Sequence, residues 1–160
     1  MGLKLHLGCG RKAVAGYVNI DIFPHEGVDQ VLDLNSLPWP WEDNSVEEIL
    51  ANDVLEHLYP LGKAEGQMNI VGVLREIHRV LKPDGKLIAR IPSTDGPGAW
   101  QDPTHVTYWN ANTLAYFDRK SPWAQGEWPK FQVFWNEEYL HFADEKPIAW
   151  IHVILVKPHE

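Results

Sequence analysis

Cysteine is nearly absent from this chain. Cys9 stands alone, so no internal disulfide can form and a reducing cytoplasm is the expected compartment. Also missing is any apolar run near the roughly 18 to 20 residues that cross a bilayer, and Met1-Gly2-Leu3-Lys4 leads into no apolar segment with a cleavage site. No membrane partner is expected. Positive charge is in short supply: 14 Lys and Arg face 22 Asp and Glu, a formal net charge of −8. Such a balance repels a phosphate backbone unless basic residues gather on one face. The best such group, Arg75, Arg79 and Lys82 around Glu76, fits a solvated helix face, and nucleic acid is not the expected partner.

What is present suffices for one core. Hydrophobic residues make up 44% and charged residues 22% of 160 positions, the proportions of a globular chain, and residues 1–160 are expected to form a single domain. Short β-rich segments occur at Lys4–Leu7, Tyr17–Ile22, Val28–Leu34 and Glu48–Asn52, each closed by Gly, Pro, Asn or Asp. The spacing of Ile70, Val73, Leu74, Ile77 and Leu81 predicts an amphipathic helix over Gln67 to Leu81, ended by Lys82-Pro83-Asp84-Gly85. Lys86–Ile91 alternates into a fifth strand. Helix followed by strand is half of a crossover unit, so a mostly parallel sheet is expected. Phe131–Phe142 and Ile148–Val156 add two more strands, and the short link Ala143-Asp144-Glu145-Lys146-Pro147 makes them an antiparallel hairpin. The expected fold class is therefore α/β, a mixed seven-stranded sheet.

Residues 93–130 hold Pro97, Pro103, Pro122 and Pro129 and the tryptophans Trp100, Trp109, Trp123 and Trp128, with one helical stretch at Asn110–Phe117 capped by Asn110 or Asn112. A loop region of that length at the C-terminal edge of a parallel sheet is expected to cover a substrate. The alternative is that its aromatic rings only fill space over the sheet.

The chain's strongest local signal is Leu5-His6-Leu7-Gly8-Cys9-Gly10, a strand running into a glycine turn, with Asp21 eleven residues after Gly10 at the end of the next strand. Glycines let backbone approach a ligand where a Cβ would collide, and an acid at the neighbouring strand end can accept from two ribose hydroxyls. A tight turn needs glycine with or without a ligand, so the pattern alone leaves both readings open.

Joined with Gly16-Tyr17-Val18-Asn19-Ile20-Asp21, Asp33-Leu34-Asn35-Ser36-Leu37-Pro38-Trp39, Asn44-Ser45-Val46-Glu47-Glu48-Ile49, Val54-Leu55-Glu56-His57-Leu58 and Leu74–Leu87, the signal resembles the class I S-adenosylmethionine-dependent methyltransferases, in particular the small type 11 subgroup. The resemblance spans nearly the whole chain and implies a Rossmann-like methyltransferase fold with S-adenosylmethionine as cofactor. It implies that Gly8, Cys9 and Gly10 lie under the methionine moiety, that Asp21 with Ile22 holds the ribose, and that Asp33 and Leu34 meet adenine. Asn52 and Asp53 would close over the methionine end; the alternative for Asp53 is an N-cap. His6 occupies a position usually acidic in the family. Arg11 to Gly16 has room for little more than one helical turn at about 1.5 Å per residue, so the first crossover is shortened and one sheet face is expected to be partly bare there, open to a partner or a second subunit.

Methyl transfer from a sulfonium is an in-line displacement in which a hydroxyl acceptor must also lose its proton. Asp102-Pro103-Thr104-His105 offers His105 as base with Asp102 to orient it; otherwise the two fasten the loop. His57 is the second catalytic candidate. His57, Asp102, His105 and His25 contain no pair at zinc-motif spacing, so no metal is expected. The acceptor expected is a small molecule or a sugar. A non-catalytic accessory protein that binds the cofactor is the rival reading. A nicotinamide dehydrogenase is disfavoured because Gly8-Cys9-Gly10-Arg11-Lys12-Ala13 lacks the last glycine of GxGxxG. A nucleic-acid amino-methyltransferase is disfavoured because Asn52-Asp53-Val54-Leu55 lacks the Pro-Pro-aromatic run that grips a flipped base.

Overall fold

The computed structural model describes residues 2–60, 69–124, 128–140 and 148–159. Seven strands form one sheet: β1 (Leu3–Leu7), β2 (Val18–Asp21), β3 (Gln30–Val31), β4 (Val46–Asn52), β5 (Leu81–Pro92), β6 (Gln132–Leu140) and β7 (Ile148–Val156). Their order is β3-β2-β1-β4-β5-β7-β6. The first five are parallel and β7 pairs antiparallel with both β5 and β6. On β7, Ala149, Ile151, Val153 and Leu155 form one buried face, while Ile154 on the other face is exposed. The expected hairpin link, 143–147, lies outside the described residues.

Helix α1 (Asn69–Val80) buries Ile70, Val73, Leu74 and Ile77 of the expected stripe together with Val80, whereas Leu81, expected as its last member, opens β5; Gln67 and Met68 lie outside the described residues. Beyond it, Lys82–Gly85 belongs to β5 as a bulge, because the register with β4 jumps from Val46↔Leu81 to Glu48↔Lys86. Asp84, not Gly85, takes the left-handed conformation, at φ 62°. Gly85 is needed for closeness: a Cβ there would lie 2.7 Å from the Lys82 carbonyl oxygen.

The expected solvated face on α1 is a clasp instead. Glu76 is buried, accepts the Trp39 backbone N–H at 2.7 Å and pairs with Arg79, which also reaches Asp43 at 2.6 Å. Trp39, itself buried, donates its indole N–H to the Leu34 carbonyl at 3.2 Å. The clasp binds the β3–β4 connection to α1, and a one-helix periodicity could not announce it because its partners are 37 residues apart.

Between β1 and β2 no helix forms. The segment is fastened by the Val14 N–H on Asn19 Oδ1 at 2.8 Å and by the Tyr17 hydroxyl on Glu48. That bond holds Glu48 ionised below its usual range and pushes the Tyr17 phenol up to about 12. β2 and β3 are shorter than their sequence suggests, since β3 is an edge strand paired only at Gln30 and Val31. Within 93–124, α2 (Gly98–Gln101) was not foreseen, while α3 (Ala111–Ala115) starts at Asn110 in a capping box with Thr113.

Ile77 has no exposed surface, so Ile77→Ala is expected to lower the unfolding free energy by about 2–5 kcal/mol. Lys82→Ala, on an exposed side chain, is expected to change it by less than about 0.5 kcal/mol. Urea denaturation of the two variants checks both.

Candidate active site

The strand order reverses between β1 and β4: the chain leaves β1 toward β2 on one side and leaves β4 toward β5 on the other. The connections at these two C-terminal ends diverge and leave a crevice, the usual ligand position in an open α/β sheet. A cavity of about 410 Å³ sits there, walled by Gly8, Asp21, Ile22, Asp33, Leu34 and Asp53 on one side and by His57 and Thr104 on the other.

Gly8 (φ 61°) and Gly10 (φ 53°) both adopt left-handed backbone. A Cβ on Gly8 would overlap Val54, which also lines the cavity. Asp21 anchors the turn, its Oδ2 accepting the Gly10 N–H at 2.8 Å and its Oδ1 the Phe23 N–H at 3.0 Å. Each carboxylate oxygen keeps a second lone pair for a ligand. Asp33 Oδ1 accepts the Asn35 N–H at 2.9 Å, an Asx turn that ends β3. The cavity size and these carboxylates suit a nucleoside with an amino-acid tail.

His6, Cys9, Gly10, Asn52, Asp102 and His105 are not among the residues that line this cavity. His6 is buried and its Nδ1 meets Asn19 Oδ1 at 3.1 Å; an amide oxygen only accepts, so Nδ1 carries the proton. Cys9 is buried, and burial, reinforced by the Asp21 charge, pushes its thiol upward. Asn52 lies in another depression, beside Phe134 and His152. Asp53, at φ 52°, does not cap the following 3₁₀ turn, Leu55–His57, whose N-cap is Val54. Its carboxylate instead forms an ion pair with Arg90, whose guanidinium lies 5.4 Å from the Trp150 ring centroid. His25 lies beside Arg11 and Lys12 in a third depression, away from the other histidines singled out.

On the far wall, the segment after α2 is laid against the 3₁₀ turn. The Glu56 carbonyl accepts the Val106 and Thr107 N–H groups at 2.8 and 3.0 Å, and the Thr107 hydroxyl donates to the Leu55 carbonyl at 3.0 Å. His105 is 8% exposed and its Nδ1 lies 3.0 Å from the Ala99 carbonyl. Nδ1 therefore bears the proton, and Nε2 points toward Glu56 Oε1 at 3.9 Å and Asp102 Oδ2 at 3.8 Å. The expected orienting role of Asp102 thus falls to a backbone carbonyl. Asp102 Oδ1 accepts the Thr104 hydroxyl at 2.7 Å, and the Thr104 hydroxyl and backbone bonds hold Asp102 below the usual carboxylate range. His57 Nδ1 meets Thr104 Oγ1 at 3.0 Å, and the His57 and His105 rings pack edge to face, centroids 4.8 Å apart.

One participant escaped the sequence reading. Glu56 is 2% exposed, and burial pushes its carboxyl up to about 7. Its sequence signal was only adjacency to His57. The Leu55 and Leu58 pattern suggested an ordinary helical turn, whereas the 3₁₀ turn buries both Leu55 and Glu56.

A model of the methyltransferase domain matches residues 5–89, more than half of the chain. The chain belongs to that family. It is a class I S-adenosylmethionine-dependent methyltransferase of the type 11 kind. A search of curated proteins gave no match. Among solved structures, the YcgJ protein of Bacillus subtilis is similar with a TM-score of 0.67 at 15% identity, over 99% of this chain and 93% of that one. An S-adenosylmethionine-dependent methyltransferase of Archaeoglobus fulgidus gives 0.65 at 15% identity, over 98% and 86%. The 1,6-didemethyltoxoflavin-N1-methyltransferase of Burkholderia thailandensis, solved with 1,6-didemethyltoxoflavin and S-adenosylhomocysteine, gives 0.65 at 16% identity, over 98% and 71%. The methyltransferase therefore shares a Rossmann-like fold with these proteins, and no helix among its described residues is long and apolar enough to cross a membrane.

Because Asp21 holds two backbone N–H groups, Asp21→Ala is expected to cost about 1–3 kcal/mol of stability with no ligand present. A lower urea midpoint, partly restored in Asp21→Asn, is the expected reading.

Proposed function

We propose that this methyltransferase methylates a hydroxyl or amine on a small molecule or sugar. The observation that carries the reading is that one cavity has the glycine turn and the Asp21 and Asp33 carboxylates on one wall and His57 on the other. S-adenosylmethionine, when bound, supplies an electrophilic methyl group. In this reading the backbone of Gly8, Cys9 and Gly10 lies under the methionine moiety, with His6 supporting the turn through Asn19. Asp21 and Ile22 hold the ribose, Asp33 and Leu34 the adenine, and Asp53 flanks the amino-acid end. His57 and Asp102 border the acceptor, and the unprotonated Nε2 of His105 takes the proton of a hydroxyl.

A second cavity, of about 500 Å³, supports an acceptor with a ring. Tyr108, Trp109, Tyr116, Phe117 and Trp128 line it, and aromatic faces stack on both sugar and heterocyclic rings. It lies mainly within 93–130, which this reading makes the substrate-side cover of a single domain. A second copy of the chain on the open β1–β2 side belongs to the same reading, supported by exposed Val31 on the edge strand β3. A cytoplasmic setting fits the lone, buried Cys9.

Calorimetric titration with S-adenosylmethionine and S-adenosylhomocysteine tests the cofactor site. Micromolar binding of either, weakened at least tenfold in Asp33→Ala, is the expected outcome. No heat at millimolar ligand overturns it. With an acceptor found by screening for methyl transfer, His105→Ala is expected to lower kcat about 10²–10⁴-fold while leaving the cofactor Kd unchanged. A protein that binds cofactor and methylates nothing in the screen would be the accessory protein instead.

A further inference from the structure

We propose that Glu56, His57 and His105 form a binding site for a divalent transition-metal ion at the edge of the cofactor cavity. One ligand atom from each residue lies within 4.8 Å of the others. Proximity alone is weak, but three further observations converge on the same point.

The first is the state of the two imidazoles. His105 Nδ1 donates to the Ala99 carbonyl at 3.0 Å. The Thr104 hydroxyl spends its proton on Asp102, so the bond between Thr104 Oγ1 and His57 Nδ1 must be donated by the imidazole. Both rings are thereby locked as Nδ1–H tautomers with Nε2 lone pairs available, the arrangement by which an outer shell prepares histidine for a metal. The second is Glu56. Neither carboxyl oxygen has a hydrogen-bond partner among the described residues, although the side chain is almost fully buried. Such an acceptor is costly to bury uncompensated, and a cation compensates it. The third is spacing. His105 Nε2 stands 3.9 Å from Glu56 Oε1 and 3.8 Å from Asp102 Oδ2. Both gaps are too long for hydrogen bonds, and that to Glu56 is short enough for one ion, with bonds of about 2.0–2.2 Å to nitrogen and oxygen, to bridge the two atoms.

Two imidazoles and one carboxylate select zinc, cobalt, nickel or ferrous iron over magnesium or calcium. Three protein ligands leave a position open to water or to an acceptor oxygen, which distinguishes a reactive ion from a purely structural one. Asp102 Oδ2 is the neighbouring carboxylate outside the three. No spacing motif announces the site, because Glu56 and His57 come from the 3₁₀ turn after β4 and His105 from the segment after α2.

Ion binding here does not depend on the proposed acceptor chemistry; only an ion-bound acceptor oxygen rests on that reading. With an ion in place His105 Nε2 is a ligand and not the base.

The test uses the full chain stripped with a chelator, titrated with Co²⁺ by visible d–d absorption and with Zn²⁺ by calorimetry. Micromolar or tighter binding with a 1:1 end point is expected, weakened at least 100-fold in Glu56→Gln and in His57→Ala, and unchanged in His25→Ala. Circular dichroism confirms that each variant is folded, and Glu56→Gln keeps the side-chain volume. No binding at millimolar metal overturns the proposal, as does equal binding by Glu56→Gln and the unaltered protein. The same stripped sample is titrated with S-adenosylhomocysteine. Cofactor binding without metal binding sinks only the ion, and metal binding without cofactor binding sinks only the proposed cofactor contacts.

Discussion

The reversal of strand order between β1 and β4 is the constraint from which the rest of this molecule follows. Neighbouring parallel strands whose connections leave in opposite directions open a gap at their C-terminal ends. Gly8 makes the lip of that gap passable on one side. On the other side Asp53 leaves β4 in a left-handed conformation, with its carboxylate held by Arg90 from β5. The gap is therefore bounded by two strand ends that are each pinned to a neighbouring strand, β1 through Asp21 of β2 and β4 through Arg90 of β5.

Polar groups around the gap are organised in two tiers. Asp21 and Asp33 spend part of their hydrogen-bonding capacity on local backbone and keep the remainder. They are at once the structure of the turns and the means of gripping a ligand, so the structural and functional readings of an acid at a strand end do not exclude each other here. On the opposite wall Ala99, Thr104 and Asp102 orient two imidazoles. The Glu56 backbone stitches that segment to the sheet through Val106 and Thr107, while its side chain stays among the histidines. Backbone and side chain of one residue thus join the sheet to its cover.

The missing helix between β1 and β2 is offset by side-chain straps. Asn19 alone accepts from Val14 and His6 and donates to Asp29 at 3.1 Å, doing with one amide part of what a crossover helix does by packing. His6 belongs to this strap, which gives the histidine at a usually acidic position a physical purpose. On the other side of the sheet the Trp39–Glu76–Arg79 clasp fixes the β3–β4 connection, and with it the Asp33–Leu34 edge of the cavity.

The amino-acid order by itself determined the α/β class, the seven strands, most of the stripe of α1, an asparagine cap for α3 and the glycine turn with its distant acid, because these depend on periodicity, turn chemistry and local backbone freedom. It also marked Asp33, Asp102, His57 and His105 as residues with chemistry to offer. Only the tertiary structure decided what those groups face. Glu56 carries no local signature because its burial depends on a 3₁₀ turn and on a loop about 50 residues later, and no local pattern encodes that contact. Arg79 and Glu76 looked like a solvated pair until Trp39 arrived from 37 residues away. The tautomers of His57 and His105 were set by Thr104 and Ala99, and the engagement of Asp53 by Arg90 on the next strand. Local sequence specifies which backbone conformations are allowed, whereas the state of a polar side chain is set by partners that only folding brings within about 3 Å.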